Sequence, residues 1–206
     1  MSLELYEEAL TGTVVRAEYD TGGGHPLDVQ RWLGALDAAD LHLLSLIDGP
    51  ALDIGCGPGR IAGALAARGV DALGIDIAPG AVRIARGRGV RVVHASVFGT
   101  VPRLGQWRHV LLVDGNVGIG GDPERLLRRA RELLAPGGSI HVEVGGEADP
   151  HGPVRARLRS AAGRVGGWFR WAHVSLPGIE QLAEAAGLSL GRVWEVDGRC
   201  FVELCR

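Results

Sequence analysis

The feature that most constrains this chain is the run Leu52-Asp53-Ile54-Gly55-Cys56-Gly57-Pro58-Gly59-Arg60. Glycine at alternate positions lets backbone turn tightly and leaves room for a ligand to lie against it. An apolar stretch precedes the turn, and a helical stretch from Arg60 to Arg68 follows it and stops at Gly69. A strand, a glycine turn and a helix N-terminus, in that order, is where open α/β sheets bind ligands. Asp76 closes the next apolar run, Ala72-Leu73-Gly74-Ile75. A carboxylate there can accept both hydroxyls of a nucleoside ribose, and Ile77 beside it can cover one face of the base.

From Pro50 onward, short apolar runs alternate with amphipathic segments. Val90 to Val93, His109 to Val113 and Ile140 to Val144 lack period-two alternation, as strands buried on both faces do. A helix from Pro79 to about Arg86 follows the second run. Asp122-Pro123-Glu124 opens another helix with a cap, a proline and an acid, and Leu126, Leu127, Ala130, Leu133 and Leu134 form its apolar stripe. Pro136-Gly137-Gly138 ends it. A helix from about Gly178 to Ala186 precedes two strand-like runs, Leu188 to Val196 and Arg199 to Leu204, joined by the hairpin signal Asp197-Gly198. Strands alternating with helices predict an α/β fold on a parallel sheet that ends in an antiparallel pair. The first 48 residues read as helical, Ser2 to Leu10 and then about Pro26 to Ile47 with a break near Gly34, separated by Gly22-Gly23-Gly24. Residues 1–48 are expected to form an N-terminal helical cap and 49–206 the ligand-binding domain.

Composition removes several chemistries. The chain has 22 basic residues, all arginine, so Schiff-base chemistry, pyridoxal phosphate anchoring and a P-loop clamp are excluded. A net charge of −2 argues against a general grip on nucleic acid. No apolar run reaches membrane-spanning length and no basic-then-apolar leader is seen, so neither a membrane span nor a signal peptide is expected and the cytoplasm is the expected location. Cys56, Cys200 and Cys205 lack paired spacing and the histidines are scattered, so no metal site is expected.

The ordered motifs resemble those of the class I S-adenosylmethionine-dependent methyltransferases, over about Pro50 to Arg206. Asp53-x-Gly55-x-Gly57-x-Gly59 is similar to the family's first motif and Gly74-Ile75-Asp76 to its second. Val110 to Asp114 is similar to the fourth-strand motif, and Leu134-Ala135-Pro136-Gly137-Gly138 to the loop before strand five. The stretch Asp114-Gly115-Asn116-x-Gly118-Ile119-Gly120-Gly121-Asp122-Pro123 resembles small actinobacterial-type members more closely. The resemblance implies a doubly wound, Rossmann-like, seven-stranded and mostly parallel sheet with a C-terminal antiparallel hairpin. It implies S-adenosylmethionine as methyl donor, S-adenosylhomocysteine as product, and a small-molecule acceptor with an O, N or C nucleophile, on a monomer or homodimer. Donor contacts are then expected from Asp53, Gly55, Cys56, Gly57, Gly59, Asp76, Ile77, Ser96, Val97, Asp114, Gly115 and Asn116. The family's acid after strand three is replaced by His94-Ala95-Ser96-Val97, so Ser96 or the Val97 backbone would meet the adenine.

Three residues are candidates for the chemistry: Asp114, Glu143 and His173. Asp114 at the end of the fourth strand either caps a loop or faces the sulfonium side of the donor. Glu143 shares a strand face with His141 and is either a buried partner or a catalytic acid. His173 lies in Trp168-Phe169-Arg170-Trp171-Ala172-His173, which either packs or shapes an acceptor pocket with His173 as base. Arg155, Arg157, Arg159 and Arg164 read as one basic face of a helix, solvated or facing an anionic acceptor. Tyr19 and Asp20 are placed in a lid loop. One rival reading is an NAD(P)-binding oxidoreductase. Its G-x-G-x-x-G pattern fails from Gly55 at Arg60 and fits from Gly57 through Gly59 and Ala62, leaving Asp53 and Gly55 without a role. A further alternative is a non-catalytic donor-binding partner or sensor.

Overall fold

In the computed structural model, which describes residues 3–206, the chain starts with helix α1 (Leu3–Leu10) and a hairpin of β1 (Val15–Tyr19) and β2 (Gly24–Pro26). Ser2, expected in the first helix, lies outside the described residues. The helical reading of the first 48 residues is therefore corrected over 15–26. Val15, Ala17 and Tyr19 alternate with Arg16 and Glu18, a period-two pattern that suits a half-buried strand, and the glycines at 22–24 make its turn. The expected stretch from Pro26 to Ile47 is two short helices, α2 (Val29–Leu33) and α3 (Ala38–Ser45), separated near Gly34. Asp37 and Asp40 form a reciprocal capping box at the start of α3.

The alternating region follows as β3 (Ala51–Ile54), α4 (Arg60–Ala67), β4 (Ala72–Asp76), α5 (Pro79–Gly87), β5 (Val92–His94) and β6 (Trp107–Leu112). A 3-10 segment, Asn116–Gly121, then leads into α6 (Pro123–Leu133), which Asp122 caps by accepting from the Arg125 N–H. β7 (Leu134–Val144) continues directly from that helix. The remaining elements are β8 (Gly152–Ser160), β9 (Phe169–His173), α7 (Leu176–Ala185), β10 (Ser189–Val196) and β11 (Arg199–Cys205).

Seven strands form one sheet in the order β10-β11-β7-β6-β3-β4-β5. β5, β4, β3, β6 and β7 are parallel, while β11 runs antiparallel to β7 and β10 to β11. Helices cover the sheet's faces. Leu126, Leu127, Ala130 and Leu133 of α6 are fully buried beside Trp107 and Ile140, each leucine contributing about 1.5–3 kcal/mol.

A second sheet, β2-β1-β8-β9, joins the N-terminal hairpin to the segment after β7. Its register puts Val15, Ala17 and Tyr19 opposite Ser160, Leu158 and Ala156. His25 stands opposite Ala17, and Phe169, Trp171 and His173 stand opposite Ala156, Val154 and Gly152. These side chains share one face, because opposite residues in a pair project to the same side. The helix expected for Arg155, Arg157, Arg159 and Arg164 is corrected accordingly. Val154, Ala156 and Leu158 alternate with Arg155, Arg157 and Arg159, so the arginines line the outer face of a strand. There Arg157 and Arg159 pair with Glu18, and Arg164 beyond the strand pairs with Glu8 and Glu4. No helix among the described residues is long and apolar enough to cross a membrane.

Candidate active site

β3 ends at Ile54, and the chain reverses through Gly55, Gly57 and Gly59, all in the left-handed region (φ 70°, 54° and 84°). All three are also crowded: a Cβ on Gly55 would lie 2.8 Å from the Asn116 amide nitrogen, one on Gly59 2.9 Å from Val90 Cγ2, and one on Gly57 3.2 Å from the Tyr6 hydroxyl. Cys56 borders the crevice, but its Sγ packs against Gly74, where a Cβ would lie 2.5 Å from it, and burial pushes its thiol up. It therefore fills space beneath the turn, and its thiol stays protonated. Asp53 is buried below the turn and accepts from the Ala62 N–H at 3.2 Å, fastening β3 to α4. Burial, with Asp114 nearby, pushes its carboxyl up to about 7.

Asp76 ends β4 beside this turn. One carboxylate oxygen accepts from the Gly57 N–H and the other from the Ala78 N–H, both at 2.8 Å. Burial raises its pKa, and the two backbone donors oppose that rise. A carboxylate fixed by two amides keeps lone pairs free for a pair of vicinal hydroxyls. Ile77 lines the crevice and is 44% exposed, a large apolar side chain left uncovered by protein. Ser96 and Val97 line the same wall. Ser96 accepts from the Phe98 N–H and the Val97 carbonyl from Arg129 Nε at 2.9 Å.

Asp114 follows β6 with φ 55°, a conformation disfavoured for a residue with a Cβ. Three contacts hold it there. Its N–H donates to Glu143 at 2.7 Å, and its carboxylate accepts from Arg60 at 2.6 Å and Arg199 at 3.4 Å. Arg60 also pairs with the fully buried Asp40. Arg199 reaches Asp40 at 2.8 Å, Asp37 at 2.9 Å and Glu143 at 2.9 and 2.8 Å. Burial still raises the Asp114 carboxyl against the pull of Arg60. Glu143 belongs to this network and does not line the crevice, so it acts on Asp114 through its backbone. His141, its neighbour on the strand face, packs instead with His109 and Ser139 at the far end of the sheet.

Asn116 donates its amide to the carbonyls of Ile54 (2.9 Å) and Gly55 (3.0 Å), clamping the turn, and itself lines the crevice. Gly115 is left-handed at φ 79°. The later glycines of this loop serve packing against β9. A Cβ on Gly118 would stand 2.1 Å from the Ala172 carbonyl oxygen, and one on Gly121 would stand 2.8 Å from Arg170 Cβ.

The crevice floor and the inner face of the second sheet enclose one cavity of about 510 Å³. Tyr6 and Trp32 close one side. Glu7 anchors α1 by accepting from the Gly80 N–H at 2.6 Å, which caps α5 where Ala78 offers no side chain. Tyr19, His25 and His173 line the roof. The Tyr19 hydroxyl lies 3.2 Å from His25 Nδ1, and its ring meets His173 edge-on at 4.6 Å. Sequence reasoning did not single out Tyr6, His25, Arg60 or Arg199. Among the described residues no cluster of three or more His, Cys, Asp or Glu could hold a metal.

Residues 51–138 match the family model described as a methyltransferase domain. No curated protein matches the chain. Solved structures share the fold. One is a SAM-dependent methyltransferase from Bacteroides fragilis in complex with S-adenosyl-L-homocysteine (TM-score 0.81, 19% identity, 98% of this chain and 92% of that one). Another is a Burkholderia thailandensis 1,6-didemethyltoxoflavin-N1-methyltransferase with bound 1,6-didemethyltoxoflavin and S-adenosylhomocysteine (0.58, 20%, 82% and 76%). A third is SAM-bound CalS10, an amino pentose methyltransferase from Micromonospora echinaspora (0.57, 18%, 82% and 88%).

Proposed function

We propose, on the match of residues 51–138 to a methyltransferase-domain model, that the protein transfers the methyl group of S-adenosylmethionine to a small-molecule acceptor. The observation that carries the reading is Asp76, whose carboxylate is fixed by the Gly57 and Ala78 N–H groups at the edge of a cavity large enough for a nucleoside. The surroundings fit such a donor. Gly55, Gly57 and Gly59 hold the left-handed backbone that side chains disfavour, Ile77 is uncovered, and Asp53 and Gly55 both have structural work in the turn, which the NAD(P) frame denies them.

When bound, S-adenosylmethionine supplies a methyl group on a positively charged sulfur, already activated for displacement. The chain's own residues then have to bind, align and exclude water. Asp76 holds the sugar, Ile77 and Val97 flank the base, and Ser96 offers it a polar group. Asp114 and Gly115 border the sulfur-bearing half, with Asp114 oriented by Arg60, Arg199 and Glu143. Glu143 and Asn116 are positioning residues. His173, whose ring lines the acceptor side, serves as base where the acceptor must lose a proton. Near-attack alignment is worth about 7–11 kcal/mol and a general base about 10²–10⁴-fold, so alignment is the larger task. We extend the reading to a cytoplasmic monomer or homodimer that engages neither nucleic acid nor membrane. Residues 1–48 serve as cap and 49–206 as the catalytic domain, the cap sharing its sheet with β8 and β9.

Calorimetric titration with S-adenosylmethionine, S-adenosylhomocysteine and NAD tests the proposal. It expects binding of the first two and none of the third. Binding of NAD alone favours the oxidoreductase reading, and binding of none overturns both.

A further inference from the structure

The acceptor half of the cavity has a chemistry of its own, and it rests on the methyl-transfer reading above. Its roof is the inward face of the second sheet, where Tyr19, His25, Phe169, Trp171 and His173 stand together by register. These are aromatic rings, and the aliphatic side chains between them are Ala17, Ala156 and Leu158. The arginines of β8 point the other way, two of them neutralised by Glu18. Arg170 of β9 borders the cavity but stands opposite Arg155, on the outer face by register, so an anionic acceptor, the sharper reading of that arginine run, finds no cation aimed inward from the roof.

The polar groups that do face inward are all pushed toward their uncharged forms. Burial lowers His173 and, together with Arg16, lowers His25, while burial raises Tyr19. The groups facing His173 are Tyr19 from β1, His25 from β2 and Asp149 from the loop after β7. On the floor, Asp114 is already answered by Arg60 and Arg199. Asp149 accepts from the Gly146 N–H at 2.7 Å and does not line the cavity, so a cationic acceptor meets no free carboxylate inside the cavity on its own side.

Size narrows the class further. The cavity measures about 510 Å³, whereas pockets of about 300–1,000 Å³ typically hold a single drug-sized ligand. This one must hold the donor as well, so the acceptor is restricted to about one ring.

We propose that the acceptor is a compact, uncharged aromatic or heteroaromatic ring bearing an O–H or N–H, stacked beneath the roof, with Tyr19 and His25 reading its polar edge and His173 taking its proton. In the step, a bond forms between the acceptor's oxygen or nitrogen and the methyl carbon. The carbon–sulfur bond breaks with its electron pair staying on sulfur. The acceptor's proton moves to a ring nitrogen of His173 and then to solvent.

The test uses three probes on the full-length protein saturated with S-adenosylhomocysteine: phenol, benzoate and cyclohexylamine, followed by ligand-observed NMR. Failure to bind S-adenosylhomocysteine would sink the underlying reading, and calorimetry reports that separately. Given donor-site binding, phenol should bind at least about tenfold more tightly than either charged probe, a difference of about 1.4 kcal/mol. Tyr19→Phe and His173→Gln should each weaken phenol by about threefold or more, as loss of one hydrogen bond does, with S-adenosylhomocysteine affinity unchanged. Benzoate or cyclohexylamine binding as well as phenol, no binding of phenol, or phenol binding indifferent to both substitutions overturns the proposal.

Discussion

Replacing Arg199 by methionine removes the cation at the centre of the buried network. Its guanidinium reaches Glu143 at 2.9 and 2.8 Å, Asp37 at 2.9 Å, Asp40 at 2.8 Å and Asp114 at 3.4 Å. Without it, Arg60 alone answers these carboxylates, and Asp40 has no exposed surface through which water could help. Removing one partner of a buried ion pair costs about 3–5 kcal/mol, a large share of a total stability of about 5–15 kcal/mol. The pH dependence follows from sign. Burial pushes Asp40 up, but hydrogen bonds from Arg199 and Arg60 outweigh it and leave its carboxyl below the usual 3.8. In the wild type, the stability Asp40 contributes is present above its unfolded pKa and lost only as pH falls through that lower value. In Arg199→Met, burial acts with less opposition, so the folded carboxyls of Asp40 and Asp114 rise and the folded state holds protons that the unfolded chain releases. Stability of the variant then declines as pH rises from 5 to 7.5. Equilibrium urea unfolding at the two pH values should show a loss of about 3–5 kcal/mol at pH 7.5, smaller by about 1 kcal/mol or more at pH 5. A loss below about 1 kcal/mol, or one identical at both pH values, refutes the reasoning.

Two further outcomes are expected. Asp53, raised from 3.8 to about 7 by burial, keeps a proton when folded that the unfolded chain gives up, so the wild type loses stability between about pH 4 and 7. Asp53→Asn removes that decline and should be the more stable protein above pH 7, by at most about 4 kcal/mol, and equal below pH 4; parallel stability curves measured by urea unfolding would contradict this. Gly118→Ala places a methyl group 2.1 Å from the Ala172 carbonyl oxygen, which β9 can relieve only by moving. Thermal unfolding should report a loss of about 1–3 kcal/mol, and an unchanged midpoint would show that the loop glycine is dispensable.

The central sheet was legible in the sequence because its strands carry their own signals. Ala51 to Ile54 and Ala72 to Asp76 are apolar runs closed by a glycine or an acid, and the structure places β3 and β4 there. Asp197-Gly198 sits in the turn of the last hairpin with both residues left-handed, as that dipeptide favours. The second sheet was missed for a local reason. In Val154 to Arg159 the arginines drew attention as a charge run, while the alternating Val154, Ala156 and Leu158 held the strand signal. The same pattern from Val15 to Tyr19 is short, lying between α1 and the glycine turn into the three-residue β2. The network joining Asp37, Asp40, Arg60, Asp114, Glu143 and Arg199 has no sequence spacing, since its members come from α3, α4, β7, β11 and the loop after β6. Only the closure of the sheet brings them together. Asp76 was legible as a ligand because one strand and one turn suffice to place it.

The account depends most on Asp76, and calorimetric titration of S-adenosylhomocysteine into the wild type and Asp76→Ala tests it directly. Loss of two charge-assisted hydrogen bonds to the sugar, each worth about 1.5–3 kcal/mol, predicts affinity weakened by at least about a hundredfold, with an unchanged circular dichroism spectrum. Equal affinity in the two proteins would contradict the claim that this carboxylate holds the donor.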